Sequence, residues 1–151
     1  MNDLMSFGIH RIWKRIAVEM SEIRSNSYIL DLAGGTGDMV KMMVPKLSKE
    51  GLAVLSDINE NMLVNGRDKL IDSGITEFSS AQIDAQLLPF KKDSFDIVSI
   101  AFGLRNVTDK KKSLSSILES LKPGGKLVVL EFSKPTNEIL REIYDFYSFE
   151  I

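Results

Sequence analysis

The stretch YILDLAGGTGD at residues 28–38 decides the fold of this chain. It begins as a short apolar run, typical of a strand buried in a parallel sheet, and continues into a glycine turn of the kind that opens a helix. A second apolar run follows and ends at Asp57, which stands 20 residues after Gly37. This layout predicts a βαβ unit that holds the adenosine part of a cofactor, with Asp57 accepting hydrogen bonds from a ribose.

The glycine spacing separates two classes of adenosine cofactor. The dinucleotide fingerprint needs glycine at three fixed places, because the pyrophosphate must approach the helix N-terminus. If Gly35 and Gly37 take the first two places, Val40 stands at the third, and the register that begins one residue earlier fails at Thr36. S-adenosylmethionine (SAM) has no phosphate, and its sulfonium and zwitterionic amino acid end suit an acidic strand end such as Asp31. The spacing therefore favours SAM over a dinucleotide.

Residues 31–37 also resemble the first motif of class I SAM-dependent methyltransferases, D/E-x-G-x-G-x-G, with Ala33 in place of the first glycine. The resemblance implies a Rossmann-like α/β fold, in which a parallel sheet carries helices on both faces. The rest of the chain agrees with such a fold, since strand and helix patterns alternate along it. We predict a helix at residues 9–23, a turn at residues 122–125, and strands at residues 28–32, 53–57, 76–83, 95–101 and 126–132.

The composition limits the remaining possibilities. With 151 residues and 44% hydrophobic content, the chain is long enough for one domain, and we expect residues 1–151 to form it. A net charge of -2 argues against a nucleic acid partner. The absence of cysteine and the single His10 argue against a metal site. No apolar run is long enough to span a membrane, so we expect a cytoplasmic protein, or one of the mitochondrial matrix if the source is eukaryotic.

Ligands bind beyond the carboxyl ends of the strands in such sheets, so the residues after each strand are the candidates for function. The candidates for cofactor contact are Asp31, Gly34, Gly35, Thr36, Gly37, Asp57, Ile58, Asp84, Ala85 and Ala101. Two of them also have a purely structural interpretation. Asp57 can cap the helix that begins near Asn59, and Asp84 can form a turn rather than accept a hydrogen bond from the adenine amino group.

Arg105 and Asn106 follow the fourth strand, where a substrate would meet the cofactor methyl group. Arginine keeps its charge and donates hydrogen bonds in a fixed fork, which suits a developing oxyanion. The alternative is an ion pair of Arg105 with Asp109 or Asp96 that only ties the loop. Glu131, at the end of the fifth strand, is also a candidate for function, with the alternative that it only ends the strand and satisfies neighbouring amides.

Three further stretches resemble one family, the ubiquinone/menaquinone biosynthesis C-methyltransferases. Residues 1–13 are similar to its N-terminal signature, residues 102–109 to its fourth-strand segment, and residues 121–133 to its second signature, although Ser120 stands where arginine is usual. The resemblance implies methyl transfer from SAM to a ring carbon of a polyprenyl quinol, either a demethylmenaquinol or a methoxy-benzoquinol. The chain starts inside the first signature, and the resemblance implies seven strands rather than five. We therefore expect a chain truncated at both ends that lacks the last two strands.

Carried over by position, the resemblance implies cofactor contacts at Thr36, Asp57, Asp84 and Ala85. Ala101 stands where the family has serine, so a hydroxyl contact is lost there. Arg105 with Asn106 would stabilise the oxygen of the quinolate. Two alternatives stay open: a class I methyltransferase for another small molecule, and a non-catalytic fragment that binds SAM or a partner.

His10 is the conventional base of this sequence, and it lies in the first 25 residues, which we expect to form a helical lid. Two roles are open for His10: it is the catalytic base, or it only packs against neighbouring residues. The lid's apolar residues would cover the pocket or rest on the membrane that holds the substrate's tail. They are Phe7, Ile9, Trp13 and Ile16. Without the last two strands, the edge of the fifth strand would be exposed, which predicts a homodimer.

Overall fold

The computed structural model describes residues 3–131, with side chains from residue 8 onward. Its helices are α1 (Asp3–Met20), α2 (Asp38–Met43), α3 (Glu60–Asp72) and α4 (Lys110–Ser120). Its strands are β1 (Tyr28–Leu32), β2 (Leu52–Asp57), β3 (Ser79–Gln82), β4 (Phe95–Ala101) and β5 (Leu121–Leu130). Short 3-10 turns occupy Val44–Lys46 and Leu104–Asn106.

The strands of this part of the chain form one parallel sheet in the order β3-β2-β1-β4-β5. Leu30 pairs with Val54 of β2 on one side and with Val98 of β4 on the other. The strand order therefore reverses between β1 and β4, and this reversal is the point at which ligands bind in doubly wound sheets. The predicted α/β class and parallel sheet are confirmed.

Helices cover both faces of the sheet, as predicted. Alternate residues of each buried strand point to opposite faces, so Leu30 and Leu32 pack on the side of α4 and its Ile117, whereas Ile29 packs on the side of α1 and α2. Helix α3 packs over β2 on that second side through Leu63 and Leu70. Side chains cap two of these helices: Asn59 accepts a hydrogen bond from the Met62 N–H at the start of α3, and Asp109 accepts one from the Lys112 N–H at the start of α4.

The bounds of three elements differ from the predicted ones by more than one residue. Helix α1 covers Asp3–Met20 rather than residues 9–23, because Glu22 adopts a φ of 53° that ends the helical path. Strand β3 is reduced to the four residues that pair with β2. Strand β5 already begins at Leu121, and the predicted turn lies inside it as a register shift. Phe132, predicted as the end of this strand, lies outside the described residues.

Candidate active site

The turn after β1 is built so that only glycine fits at several positions. Gly35 and Gly37 have φ values of 52° and 82°, a region that other residues rarely adopt. The Gly34 N–H donates to the Ser56 carbonyl at 2.8 Å, and a Cβ at Gly34 would lie 2.5 Å from Leu55 Cδ1. From the other side, Gly66 of α3 approaches the Gly35 carbonyl so closely that a Cβ at residue 66 would overlap it.

Asp57 joins this turn to the start of α3. Its Oδ2 accepts a hydrogen bond from the Gly35 N–H at 3.0 Å, and its Oδ1 accepts one from the Asn59 N–H at 2.9 Å. The residue that caps α3 is Asn59 and not Asp57. Asp57 instead connects the glycine turn to the residues before α3. Each carboxylate oxygen keeps a further lone pair for a ligand hydroxyl.

A cavity of about 380 Å³ opens at the carboxyl ends of β1 to β4. Of the predicted site residues, the structure brings together Gly35, Asp57, Ile58, Asp84, Ala85 and Asn106 in its wall. Met62, Gln86, Phe102 and Thr108 also line it. Thr36 and Gly37 face a separate cleft beside α2, and Ala101 packs into the apolar cluster under α1.

Asp31 is buried beneath the glycine turn, with 1% of its surface exposed. Its Oδ1 accepts a hydrogen bond from Ser99 Oγ at 2.7 Å, whereas its Oδ2 has no partner within residues 3–131. Burial raises the pKa of Asp31 to about 7, although the bond from Ser99 and the charge of Lys14 act in the opposite direction. A buried carboxylate oxygen with a vacant lone pair fits a cationic donor such as the ammonium group of SAM.

Asp84 forms the turn that was the structural alternative to a contact with adenine. Its Oδ1 accepts a hydrogen bond from the Gln86 N–H at 2.9 Å, while the exposed carboxylate still borders the cavity. The side chain of Gln86 in turn accepts from the Asp109 N–H at 3.1 Å. Gln86 therefore connects the end of β3 to the start of α4, a role that no local sequence signal indicated.

Arg105 is an exposed residue of the 3-10 turn after β4, and its backbone N–H donates to Glu131 Oε1 at 3.5 Å. Neither predicted ion pair of Arg105 forms. Asp96 accepts from the Tyr28 N–H and pairs with Lys122, and Asp109 caps α4. The interpretation of Arg105 as a residue that only ties the loop through these carboxylates is therefore wrong.

Helix α1 reaches the end of β4 through His10. The imidazole stacks on the Phe102 ring, with 4.6 Å between the ring centroids and 20° between the planes. Partial burial lowers the pKa of His10, and the charges of Lys14 and Arg105 lower it further. This direction favours the neutral imidazole, which is able to accept a proton.

The described residues include no group of three His, Cys, Asp or Glu side chains placed to hold a metal ion. Within the same part of the chain, no helix is long and apolar enough to cross a membrane.

Comparison with known proteins decides the family. A model of the ubiE/COQ5 methyltransferase family matches residues 1–151. The chain belongs to this family. It is 58% identical over 152 aligned residues to the "Ubiquinone/menaquinone biosynthesis C-methyltransferase UbiE" of Methylococcus capsulatus and 56% identical to that of Proteus mirabilis. In both cases the whole chain aligns and spans 61% of the relative's length. The family predicted from the three signatures is confirmed.

Solved structures of low sequence identity share the fold. The YcgJ protein of Bacillus subtilis has a TM-score of 0.76 at 21% identity, with 87% of this chain and 55% of that one covered. A SAM-dependent methyltransferase from Aquifex aeolicus has a TM-score of 0.74 at 16% identity, with 83% and 66% covered. The sheet and helices of the ubiE/COQ5 chain are therefore those of the class I methyltransferase fold.

Proposed function

We propose that this chain is the cofactor-binding part of an enzyme that transfers a methyl group from SAM to a ring carbon of a polyprenyl quinol. The observation that carries the proposal is Asp57, which is fixed by the N–H groups of Gly35 and Asn59 at the mouth of a cavity at the switch point of the sheet. The names of the UbiE relatives support a demethylmenaquinol or a methoxy-benzoquinol as the acceptor.

The residues of the cavity suit SAM part by part. Asp57 would bind the ribose hydroxyls, as its vacant lone pairs allow. Ile58 and Ala85 offer apolar contact for the adenine ring, and Asp84 would accept a hydrogen bond from its amino group. Gly34, Gly35 and Gly37 let the backbone approach the sulfur and the amino acid end.

When bound, SAM supplies an electrophilic methyl group on its sulfonium. The chain would align the quinol ring against it and stabilise the charge that develops on the ring oxygen. Arg105 and Asn106, at the exposed end of β4, are the donors for that oxygen. His10, stacked on Phe102 and with a lowered pKa that favours its neutral form, would accept the proton that the quinol releases.

The proposal is tested by incubating the 151-residue chain with demethylmenaquinol and SAM that carries a labelled methyl group. Transfer of the label to the quinol ring supports it, and the Asp57→Ala variant should lose that transfer at low SAM concentration. Asp68→Ala is the matched control, because Asp68 is an exposed carboxylate of α3 that pairs with Arg67. Equal labelling by wild type and Asp57→Ala would contradict the assignment of the site.

We also propose that α1 rests on the membrane in which the quinol tail lies, at the cytoplasmic face of the inner membrane or on the matrix side of a mitochondrion. Helix α1 exposes an apolar stripe of Ile9, Ile12, Ile16 and Met20. Of the residues predicted to form the apolar face of the lid, Ile9 and Ile16 are exposed, whereas Trp13 packs against the core. The side chain of Phe7 lies outside the described residues. Sedimentation with anionic vesicles should carry wild type but not Ile12→Lys.

A homodimer formed through the edge of β5 completes the proposal. Within residues 3–131, β5 is the last strand on its side of the sheet, and an open strand edge favours pairing with a second chain. Light scattering at micromolar concentration should give the mass of two chains. The mass of one chain would contradict the dimer.

A further inference from the structure

Lys14 of α1 is more buried than a lysine on a surface helix usually is. Its side chain is 14% exposed, whereas the lysines of the pairs Lys46–Glu19 and Lys126–Glu22 are 37% and 41% exposed. A lysine normally keeps its ammonium group in water, because burying the charge is costly unless it is paired. Lys14 therefore needs a partner of opposite charge that offsets the cost of its burial.

The ammonium group of Lys14 points at the glycine turn. Its Nζ lies 3.0 Å from Oδ2 of Asp38, the first residue of α2, and 5.9 Å from the centroid of the Phe102 ring, which lines the cavity. Asp38 satisfies one of the three donors of the ammonium group and is itself 43% exposed in its side chain. The charge is thus held beside the turn with donor capacity left over.

Asp31 supplies the opposite charge next to the same turn. Its buried Oδ2 has no partner within the described residues, and that atom lies only 2.9 Å from the position of a Cβ on Gly34. The charge of Lys14 reaches Asp31, since it lowers the pKa of that carboxyl group. A cation from α1 and a vacant anion from β1 therefore flank the glycine turn, and this pattern is complementary to a zwitterionic amino acid.

We propose that Lys14 binds the carboxylate of the cofactor's amino acid end, while Asp31 receives its ammonium group. The inference rests on the proposed function, and it adds α1 to the cofactor site. Asp38 holds the Lys14 side chain in position, as its short ion pair indicates. Bound cofactor would in turn hold α1, with His10, against the end of β4.

The test compares two ligands that differ only in the amino acid end. S-adenosylhomocysteine and 5′-methylthioadenosine are both neutral thioethers with the same adenosine, and only the first carries the zwitterion. Calorimetric titration of Lys14→Met should show a loss of affinity for S-adenosylhomocysteine of about tenfold to a hundredfold, as expected for charge-assisted hydrogen bonds. Affinity for 5′-methylthioadenosine should stay unchanged, and Lys14→Arg should restore most of the loss.

Lys46→Met is the matched control, because Lys46 also ties α1 to its neighbours, through Glu19, but does not line the cavity. It should leave the affinity for both ligands unchanged. Equal losses for both ligands in Lys14→Met, or no loss for either, would overturn the inference alone. Failure of the wild-type chain to bind either ligand would overturn the proposed function and the inference with it.

Discussion

The two sides of the cavity are built in different ways. On the side of β1 and β2, backbone hydrogen bonds join the glycine turn to Ser56 and Asp57, and α3 approaches so closely that Gly66 has no room for a Cβ. On the side of β4, the exposed Arg105 is attached by one long contact from its N–H to Glu131. Stacking on His10 anchors Phe102 on that same side.

The side of β1 and β2 is the cofactor half of the site, and the side of β4 is the substrate half. The difference shows that the cofactor half is held more rigidly. The cofactor half depends on main-chain geometry, so a substitution there should change stability and SAM affinity together. The substrate half depends on His10 of α1 and on side chains at the end of β4, so a substitution at those residues should change turnover and leave SAM affinity alone.

The most severe test is Gly66→Ala. A methyl group at residue 66 would overlap the Gly35 carbonyl, so α3 or the turn must shift. We expect a loss of about 3 kcal/mol in the free energy of unfolding, the upper end for overpacking, together with weaker SAM binding. Urea denaturation measures the first effect and calorimetry the second.

Gly8→Ala is the control for this variant, since a Cβ at Gly8 meets no atom within 4 Å. Alanine in α1 should stabilise the helix by up to about 1 kcal/mol. If Gly66→Ala were as stable as Gly8→Ala, the glycine turn would not be held by α3.

On the substrate side, Arg105→Ala should lower the rate of quinol methylation by about a hundredfold, the effect of removing one donor from an oxyanion. The SAM affinity should not change, because Arg105 is exposed and lies outside the cavity wall. A rate equal to that of wild type would show that Arg105 does not contact the substrate. Weaker SAM binding would show that the two halves are not separate.

Asp31 gives the cofactor half a pH dependence. Because folding raises its pKa from 3.8 to about 7, its deprotonation destabilises the fold as the pH rises from about 4 to 7, and the loss is complete above that range. The ammonium group of SAM should favour the charged form, so SAM affinity should rise as the pH increases from about 5 to about 7, with release of a fraction of a proton at pH 7.

Calorimetry in two buffers of different ionisation enthalpy measures this proton release. Asp31→Asn should bind SAM more weakly, and its binding should release no proton from this position. A wild-type chain that releases no proton would contradict the contact between Asp31 and the cofactor.

Ser99→Ala should have the smallest effect. It removes the hydrogen bond from Ser99 Oγ to Asp31 Oδ1 and costs about 1 kcal/mol of stability. Since that bond lowers the pKa of Asp31, its loss should shift the pH dependence of SAM binding to higher pH. An unchanged pH profile would show that Ser99 does not influence the charge of Asp31.

The sequence predicted the parts of the site that depend on local pattern. The strand, glycine turn and Asp57 lie in one βαβ unit, so their spacing along the chain is also their spacing in the fold. The bounds of β5 were less predictable. Pro123 and Gly124 indicate a turn, but the structure has a register shift inside β5 there, and Leu121 before them pairs with Phe95 of β4.

Residues that act through distant contacts were missed. Ser99 bonds to Asp31 across 68 positions of the chain, and Lys14 bonds to Asp38 across 24. A serine inside an apolar strand and a lysine on a helix carry no local signal of these roles. Phe102 was seen only as part of a family segment, since its contact with His10 requires α1 to lie over the end of β4.

The central claim is that the glycine turn and Asp57 form a SAM site, and calorimetric titration of the 151-residue chain tests it most directly. SAM should bind, NAD should not, and Asp57→Ala should lose SAM binding while Asp68→Ala keeps it. Binding of NAD in place of SAM, or unchanged SAM binding in Asp57→Ala, would contradict the account.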